Sequence, residues 1–401
     1  MTHLTYLEAA VVGLIQGVTE LFPVSSLGHN VLLPALIGGS WAQDLNVAAS
    51  ESPYLAFIVG LHVATAIALL IYFWRDWVRI IKGFFSSLRQ LIRPAEGTTR
   101  WMLQSADEEL AWLIILATIP VGLVGLVFEH VFRVIFGRPA FAAVFLILNG
   151  LILLAGERFR RRASLEAEEE IAAEREYALQ TVGREPARSS PGGARDASPG
   201  GVTYASPVEG RYSPPSGVRQ ASPGVVRYAS AGGGRYASAG GGRYASAGGG
   251  RYASSRRALR QEELDNAVES DERLSRMGMG QAVIIGSAQI LALFAGISRD
   301  GVTMVAGMAR GLAREDAARF AFLLATPVIL AAGVLKLPDL MGSLGNGIHG
   351  QVLVGSLLSG VGAYLSVRYL VRYFQTRTLT PFGIYCLIAG VGSLVYLYLV
   401  H

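Results

Sequence analysis

Two short polar clusters interrupt long apolar runs of this chain, and their residue types suit phosphate chemistry. The first holds Gln16, Glu20, Ser25, Ser26 and His29. Gln16 and Glu20 are four residues apart, which sets both on one face of a helix. Pro23-Val24-Ser25-Ser26 then breaks the run, and His29 begins the return. The second cluster holds Ser298, Arg299, Asp300 and Thr303, flanked by Gly296 and Gly301. A guanidinium is a planar fork of donors matched to phosphate oxygens. Glycine turns let the backbone approach an anion, and helices starting there aim free N–H groups at it. A histidine beside a carboxylate supplies a nucleophile or a base. The plainer alternatives are that Glu20 and His29 pin a hairpin together, and that Arg299 pairs with Glu20 or Asp300 for structure alone. Serines, a threonine, an arginine and a histidine converging on two such turns favour a phosphate site. His62, within GLHVATAIALL, either lines that site or is satisfied in packing.

Ionisable groups inside apolar segments are costly and mark function by default, so the surrounding elements must hold them for a reason. Of 401 residues, 51% are hydrophobic and 16% charged, against about 25% charged in a soluble domain. The expected class is an all-α polytopic membrane protein. The single cysteine, Cys386, excludes an intrachain disulfide framework and a multi-cysteine metal site. A net charge of +5 is too mild to argue for nucleic acid. MTHLTYLEAA has no basic start, so no secretion signal is expected.

Six stretches reach the roughly 20 residues needed to cross a bilayer core: about 54–74, 110–128, 140–156, 318–335, 352–371 and 380–400. Two further apolar regions, 4–38 and 280–312, contain the polar breaks and read as re-entrant helical hairpins. Basic residues crowd 75–100 and follow the third span at Arg158, Arg160, Arg161 and Arg162, whereas 39–53 has none. Positive-inside counting places 75–109, the central insert, 310–317 and 372–379 in the cytoplasm, with both termini outside. Each hairpin then precedes three spans, and the two enter from opposite sides. A shift of 273 residues lays Gly13 on Gly286, Gln16 on Gln289, Ser25 on Ser298 and Gly28 on Gly301, with Asn30 opposite Thr303. Inverted repeats with broken helices place their site where the breaks meet. The expected architecture is therefore an inverted-topology repeat of six transmembrane helices plus two re-entrant hairpins, in halves 1–160 and 273–401.

Residues 161–272 form the insert and carry 15 of the 35 basic and 15 of the 30 acidic residues. Arginine recurs every eight residues from Arg211 to Arg251, in units such as RYASAGGG. Such a segment has too little apolar surface to offset its ordering entropy and is expected to be disordered, between short charged helices over 161–180 and 256–274. Arg-Tyr-Gly composition can bind RNA or anionic lipid. A tolerated loop expansion is the preferred reading, with no nucleic-acid partner expected.

Gln16-Gly-Val-Thr-Glu20 followed by Pro23-Val-Ser-Ser-Leu-Gly-His29, together with Ala295-Gly-Ile-Ser-Arg-Asp-Gly-Val-Thr303, resembles the two signatures of the bacterial undecaprenyl-diphosphatase family. These signatures are (E/Q)xxxE leading into PVSSxGH, and PGxSRSxxT. The run from Leu61 to Trp77 is similar to that family's first span and its exit. Ala295 stands in place of proline and Asp300 in place of serine. The resemblance covers nearly all of 1–160 and 275–401. It implies hydrolysis of undecaprenyl diphosphate to undecaprenyl phosphate and inorganic phosphate, which recycles the lipid carrier for peptidoglycan and underlies bacitracin resistance. It also implies a plasma-membrane protein with an extracytoplasmic site, a divalent cation (Mg2+ or Ca2+) and a six-span fold with two re-entrant hairpins.

Under that resemblance Arg299, Ser298, Thr303 and backbone N–H groups hold the diphosphate, with Gln16 and Ser25 also binding substrate. Ser26 bonds the transferred phosphoryl group, and His29 is nucleophile or base to a water. Glu20, with Gln16, orients His29 or holds the cation, and Asp300 holds the cation or orients Arg299. The competing reading is a transporter or flippase of a phosphorylated isoprenoid lipid, which needs the anion site but neither His29 nor Glu20. A third is a scaffold that recruits a partner through the insert. Homo-oligomerisation is left open by the sequence.

Overall fold

Thr5 starts the first helix. Its hydroxyl accepts the Glu8 N–H at 3.2 Å while the Glu8 carboxylate accepts the Thr5 N–H at 2.8 Å, so two first-turn donors are satisfied reciprocally. Helix α1 (Tyr6–Thr19) runs to the first break, after which α2 (Ser26–Ile37) and the short α3 (Gly39–Asp44) follow. The structure is a computed structural model and describes residues 4–45, 53–92, 103, 105–136, 138–182, 261, 265–342 and 347–400. The first half continues through α4 (Pro53–Tyr72), α5 (Trp74–Ile92), α6 (Ala106–Phe136) and α7 (Pro139–Val182). The second comprises α8 (265–275), α9 (Met279–Ser287), α10 (Arg299–Ala309), α11 (Arg314–Met341), α12 (His349–Thr376) and α13 (Thr380–Val400). A 3-10 segment, Ala288–Leu293, continues α9 to the second break. Among the described residues every regular element is helical.

The architecture is an all-α polytopic membrane fold. Helices α6, α7, α11, α12 and α13 are long and apolar enough to cross a bilayer, and a sixth span results if α4 and α5 are taken together, bent by 84° at Phe73. The expected span 54–74 thus ends at an elbow. The following residues, read from sequence as a polar joint, instead form α5. Ile80, Gly83 and Ser87 recur at helical spacing and are buried against the body, while Arg75, Lys82 and Arg89 stay exposed.

Lipid gives helices no hydrophobic drive to associate, so seams rely on small residues and close backbone approach. Helix α1 lies along α12 and α9 along α6, while α4 packs between α11 and α12. A Cβ at Gly17 would fall on the backbone of Ser359, and one at Gly286 on that of Ala117.

Contacts divide the chain into two units, Met1–Ala172 with Arg257–His401, and Ala173–Arg256. The second is described only over 173–182, the end of α7; the expected disorder of the arginine repeats lies outside the described residues. The charged helix expected over 161–180 is part of α7. Residues 265–272, read from sequence as insert, belong to the first unit, anchored by buried acids. Asp271 accepts from Arg319 at 2.8 and 3.0 Å and from Arg79 at 2.6 Å. Asp316 accepts from Arg273 at 2.8 Å, which holds that guanidinium above its ordinary pKa.

Candidate active site where the two breaks meet

Each break begins with a serine that caps the returning helix. Ser298 accepts the Gly301 N–H at 3.2 Å to start α10, and Ser25 accepts the Gly28 N–H at 3.2 Å to start α2. Ser25 is the sole non-glycine residue with positive φ, 70°, among the described residues. That conformation lets its hydroxyl oxygen also accept the N–H of Gly296 from the opposite break, at 3.2 Å. Gly296 has φ 112°, and a Cβ on Gly28 would lie 2.8 Å from its Cα, so the two backbones touch where side chains would part them. Asn149 of α7 completes the joint. Its amide donates to the Pro23 carbonyl at 3.0 Å and its oxygen accepts the Ser298 N–H at 3.0 Å.

Glu20 lies over this joint, only 6% exposed. One carboxylate oxygen accepts from Arg299 Nη2 at 2.6 Å. The other accepts from Gln16 Nε2 at 2.7 Å and from the Ser26 hydroxyl, with His62 Nε2 at 3.5 Å. Gln16 in turn accepts from Asn30 at 2.6 Å. A continuous polar chain therefore runs from Asn30 through Gln16 and Glu20 to Arg299, its last bond joining residues 279 positions apart.

His29 is held separately. Its Nδ1 lies 2.7 Å from the Ser25 carbonyl, which can only accept, so Nδ1 carries the proton. Nε2 then presents a lone pair, and the Tyr385 hydroxyl of α13 donates to it at 2.7 Å with the two rings stacked at 5.8 Å. No hydrogen bond joins Glu20 to His29 among the described residues. Thr303 donates to the Arg299 carbonyl at 2.7 Å. The hydroxyl oxygens of Ser25 and Ser298 accept helix N–H groups, which leaves their hydroxyl hydrogens for a ligand. Asp300 is 1% exposed and neither of its oxygens has a hydrogen-bond partner among the described residues; the nearer is 3.7 Å from Arg299 Nε.

The nine residues singled out from sequence thus gather around the two breaks. Glu20, Gln16, Ser26 and Arg299 form one bonded group, while His29 stands beside it with Tyr385. His62 belongs to the Glu20 environment. Two positions went unread. Asn149 is the one polar side chain in the run AVFLILNGLILLAG, a usable signal; Tyr385 is one of 16 tyrosines and carried none.

No group of three or more His, Cys, Asp or Glu side chains is placed to hold a metal ion among the described residues. Asp300 nonetheless offers two unpartnered carboxylate oxygens beside Glu20's guanidinium partner. Hard oxygen donors in that number suit Mg2+ or Ca2+ when substrate phosphates supply the remaining ligands.

A family model described as bacitracin resistance protein BacA matches residues 9–181 and 252–392. An undecaprenyl-diphosphatase of Mycolicibacterium paratuberculosis is 50% identical over 395 residues, covering 98% of each chain. Undecaprenyl-diphosphatase 2 of Frankia alni is 48% identical over 402 residues, covering 97% of each. Undecaprenyl-diphosphatase 2 of Burkholderia lata is 33% identical over 381 residues, 95% of this chain and 92% of the relative.

Proposed function

This chain belongs to the bacitracin resistance protein BacA family, and on that premise we propose that it hydrolyses undecaprenyl diphosphate to undecaprenyl phosphate and inorganic phosphate. The observation that carries the reading is the 2.6 Å contact of Arg299 with Glu20 across the two touching breaks. It sets a phosphate-binding guanidinium, a carboxylate and two helix N-termini around one point. The full architecture we propose is six spans with two re-entrant hairpins related as an inverted repeat. The site faces the extracytoplasmic side of the plasma membrane, and the lipid tail lies among the spans.

In this scheme Arg299 exchanges part of its hold on Glu20 for the diphosphate and stabilises charge on the equatorial oxygens. The hydroxyl hydrogens of Ser25 and Ser298, with Thr303 and Gln16, orient the same group. The Nε2 lone pair of His29, released from Tyr385, attacks the terminal phosphorus or takes a proton from an attacking water. The bond from that phosphorus to the bridging oxygen breaks and undecaprenyl phosphate leaves; where His29 has attacked, a water then cleaves the N–P bond to release inorganic phosphate and restore the imidazole. A divalent cation, held by Asp300 and Glu20, would neutralise charge on the diphosphate. One observation favours a second reading of the attack. The Ser26 hydroxyl donates to Glu20, the arrangement of a nucleophile with its base.

Purified chain should release phosphate from undecaprenyl diphosphate in a cation-dependent manner, and Glu20→Ala, His29→Ala and Arg299→Ala should each abolish most of it. Asp300→Ser should raise the cation concentration for half-maximal rate by about tenfold. Rapid quenching separates the two nucleophiles: an acid-labile phosphoenzyme indicates His29 and an acid-stable one Ser26. Undiminished hydrolysis by the three alanine variants would overturn the site. Failure of the native chain to hydrolyse under any cation would favour transport of the lipid.

A further inference from the structure

The two ring nitrogens of His29 are held from different ends of the chain. The Ser25 carbonyl at 2.7 Å fixes the proton on Nδ1, and the Tyr385 hydroxyl lies 2.7 Å from Nε2. Close packing sets the tyrosine there. Gly150 of α7 and Gly383 of α13 meet so tightly that a Cβ on Gly150 would lie 2.7 Å from the Gly383 carbonyl oxygen. One turn on, Cys386 Sγ takes the Asn149 amide at 3.3 Å, and that amide also donates to Pro23 of the first break at 3.0 Å. The residue before Cys386 is thereby set beside α2, and its ring stacks on the imidazole with the planes 5° apart.

The hydroxyl is less constrained than the ring. Tyr385 is 45% exposed, on a face of α13 that also exposes Ile384 and Ile388. Among the described residues its hydroxyl makes no hydrogen bond besides the one to His29. That bond cannot survive the reaction. Nε2 has one lone pair, and whether the pair attacks phosphorus or takes a proton from water, the tyrosine O–H must first leave it. A phosphoryl group arriving at Nε2 brings anionic oxygens to the place where this hydroxyl points. A hydrogen bond from a hydroxyl to an anionic oxygen is shorter and about twice as strong as a neutral one, so the exchange runs downhill.

We propose that Tyr385 is a further catalytic residue. Its hydroxyl hands its hydrogen bond from His29 Nε2 to a non-bridging oxygen of the terminal phosphate, and the new bond strengthens as charge gathers on the equatorial oxygens. The inference rests on the diphosphatase reading, with His29 as nucleophile or base. No covalent bond changes at the phenol, which keeps its proton throughout; the acceptor alone is exchanged. In the empty site the same hydroxyl covers the Nε2 lone pair, so the imidazole becomes reactive where a phosphoryl group has drawn the hydroxyl away. Arg299, Ser25, Ser298, Thr303 and Gln16 approach the diphosphate from the two hairpins, and Tyr385 adds a donor from the last span.

The test compares the full native chain with Tyr385→Phe, which keeps the stacked ring and removes the hydroxyl, and with Tyr385→Ala, which removes both. Without substrate, diethyl pyrocarbonate should acylate His29 about fivefold faster in Tyr385→Phe, the worth of one neutral hydrogen bond, as read by mass spectrometry of the His29 peptide. With undecaprenyl diphosphate, Tyr385→Phe should lose about tenfold in kcat while KM stays within about twofold, the mark of a contact made in the transition state. The loss is smaller than for a pure oxyanion donor because the variant also uncovers Nε2. Native kcat in Tyr385→Phe with loss confined to Tyr385→Ala would reduce the residue to packing and overturn the proposal. So would a rise in kcat, which would make the hydroxyl a restraint alone, or an unchanged rate of acylation. A native chain that releases no phosphate would instead remove the diphosphatase reading itself, a result that the acylation rates neither require nor mimic.

Discussion

The two broken hairpins share a frame and divide the chemistry. Gly13, Gln16, Ser25 and Gly28 of the first recur as Gly286, Gln289, Ser298 and Gly301 of the second. Both serines cap their returning helices at 3.2 Å, and both limbs pack through glycine on a helix of the other half. The functional positions differ. By the same register Glu20 stands opposite Leu293, His29 opposite Val302, and Ser26 opposite Arg299. The carboxylate and imidazole therefore belong to one hairpin and the guanidinium to the other, and the proposed site needs both.

The glutamines record this division most clearly. Gln16 donates to Glu20 at 2.7 Å and accepts from Asn30 at 2.6 Å. At the equivalent places Gln289 faces a sequence with Leu293 and Thr303, and Thr303 gives its hydroxyl hydrogen to the Arg299 carbonyl. Gln289 is 1% exposed, and neither its amide nitrogen nor its oxygen has a hydrogen-bond partner among the described residues. The glutamine recurs at the equivalent place without the partners that it has in the first hairpin.

That contrast is open to experiment. The largest effect should come from Arg299→Ala, with kcat/KM for undecaprenyl diphosphate falling about 10³-fold. Ser26→Ala, the change at its repeat partner, should cost about tenfold if His29 attacks; a loss as large as that of Arg299→Ala would move the attack to Ser26. Next, Gln16→Leu leaves the Asn30 amide and one Glu20 oxygen short of a partner. It should lower stability by about 2 kcal/mol and kcat/KM by about tenfold, measured as thermal unfolding in detergent alongside phosphate release. The smallest effect is expected at the matching position of the other hairpin. Gln289→Leu removes two unpartnered polar atoms, so it should raise stability by about 1 kcal/mol with turnover within about twofold of native. Equal losses from the two glutamine substitutions would erase the distinction between the hairpins.

Much of this was readable before any coordinates. The breaks announce themselves because Pro23, Ser25, Gly296 and Gly301 interrupt otherwise unbroken apolar runs, and the repeat register predicts that the breaks meet. Partnerships across the breaks were less legible. Helical spacing relates Gln16 to Glu20, but no periodicity relates Glu20 to His29 once the chain has turned, and the structure gives them different neighbours. Tyr385 reaches His29 across 356 residues of sequence. Helix α5 went unread because charge counting treats 75–100 as a joint, while its burial alternates at helical period. The extent of the insert was misjudged at its far end for a similar reason: Asp271 looks like any acid in a charged segment until Arg79 and Arg319 are seen around it.

The contact between the breaks has a bearing on what this fold can do as a machine. A carrier built on two opposed halves works by letting them rock past a shared centre, opening first to one side and then to the other. Here that centre is riveted across the halves: Ser25 to Gly296, Asn149 to Ser298, and Glu20 to Arg299. At about 1 kcal/mol for each neutral bond and about 2 for the charged one, parting them together would cost about 4 kcal/mol before any desolvation. A half-turn of the mechanism would thus be populated in roughly one molecule in a thousand. Joined in this way, the two halves favour a fixed centre over the rocking of a carrier.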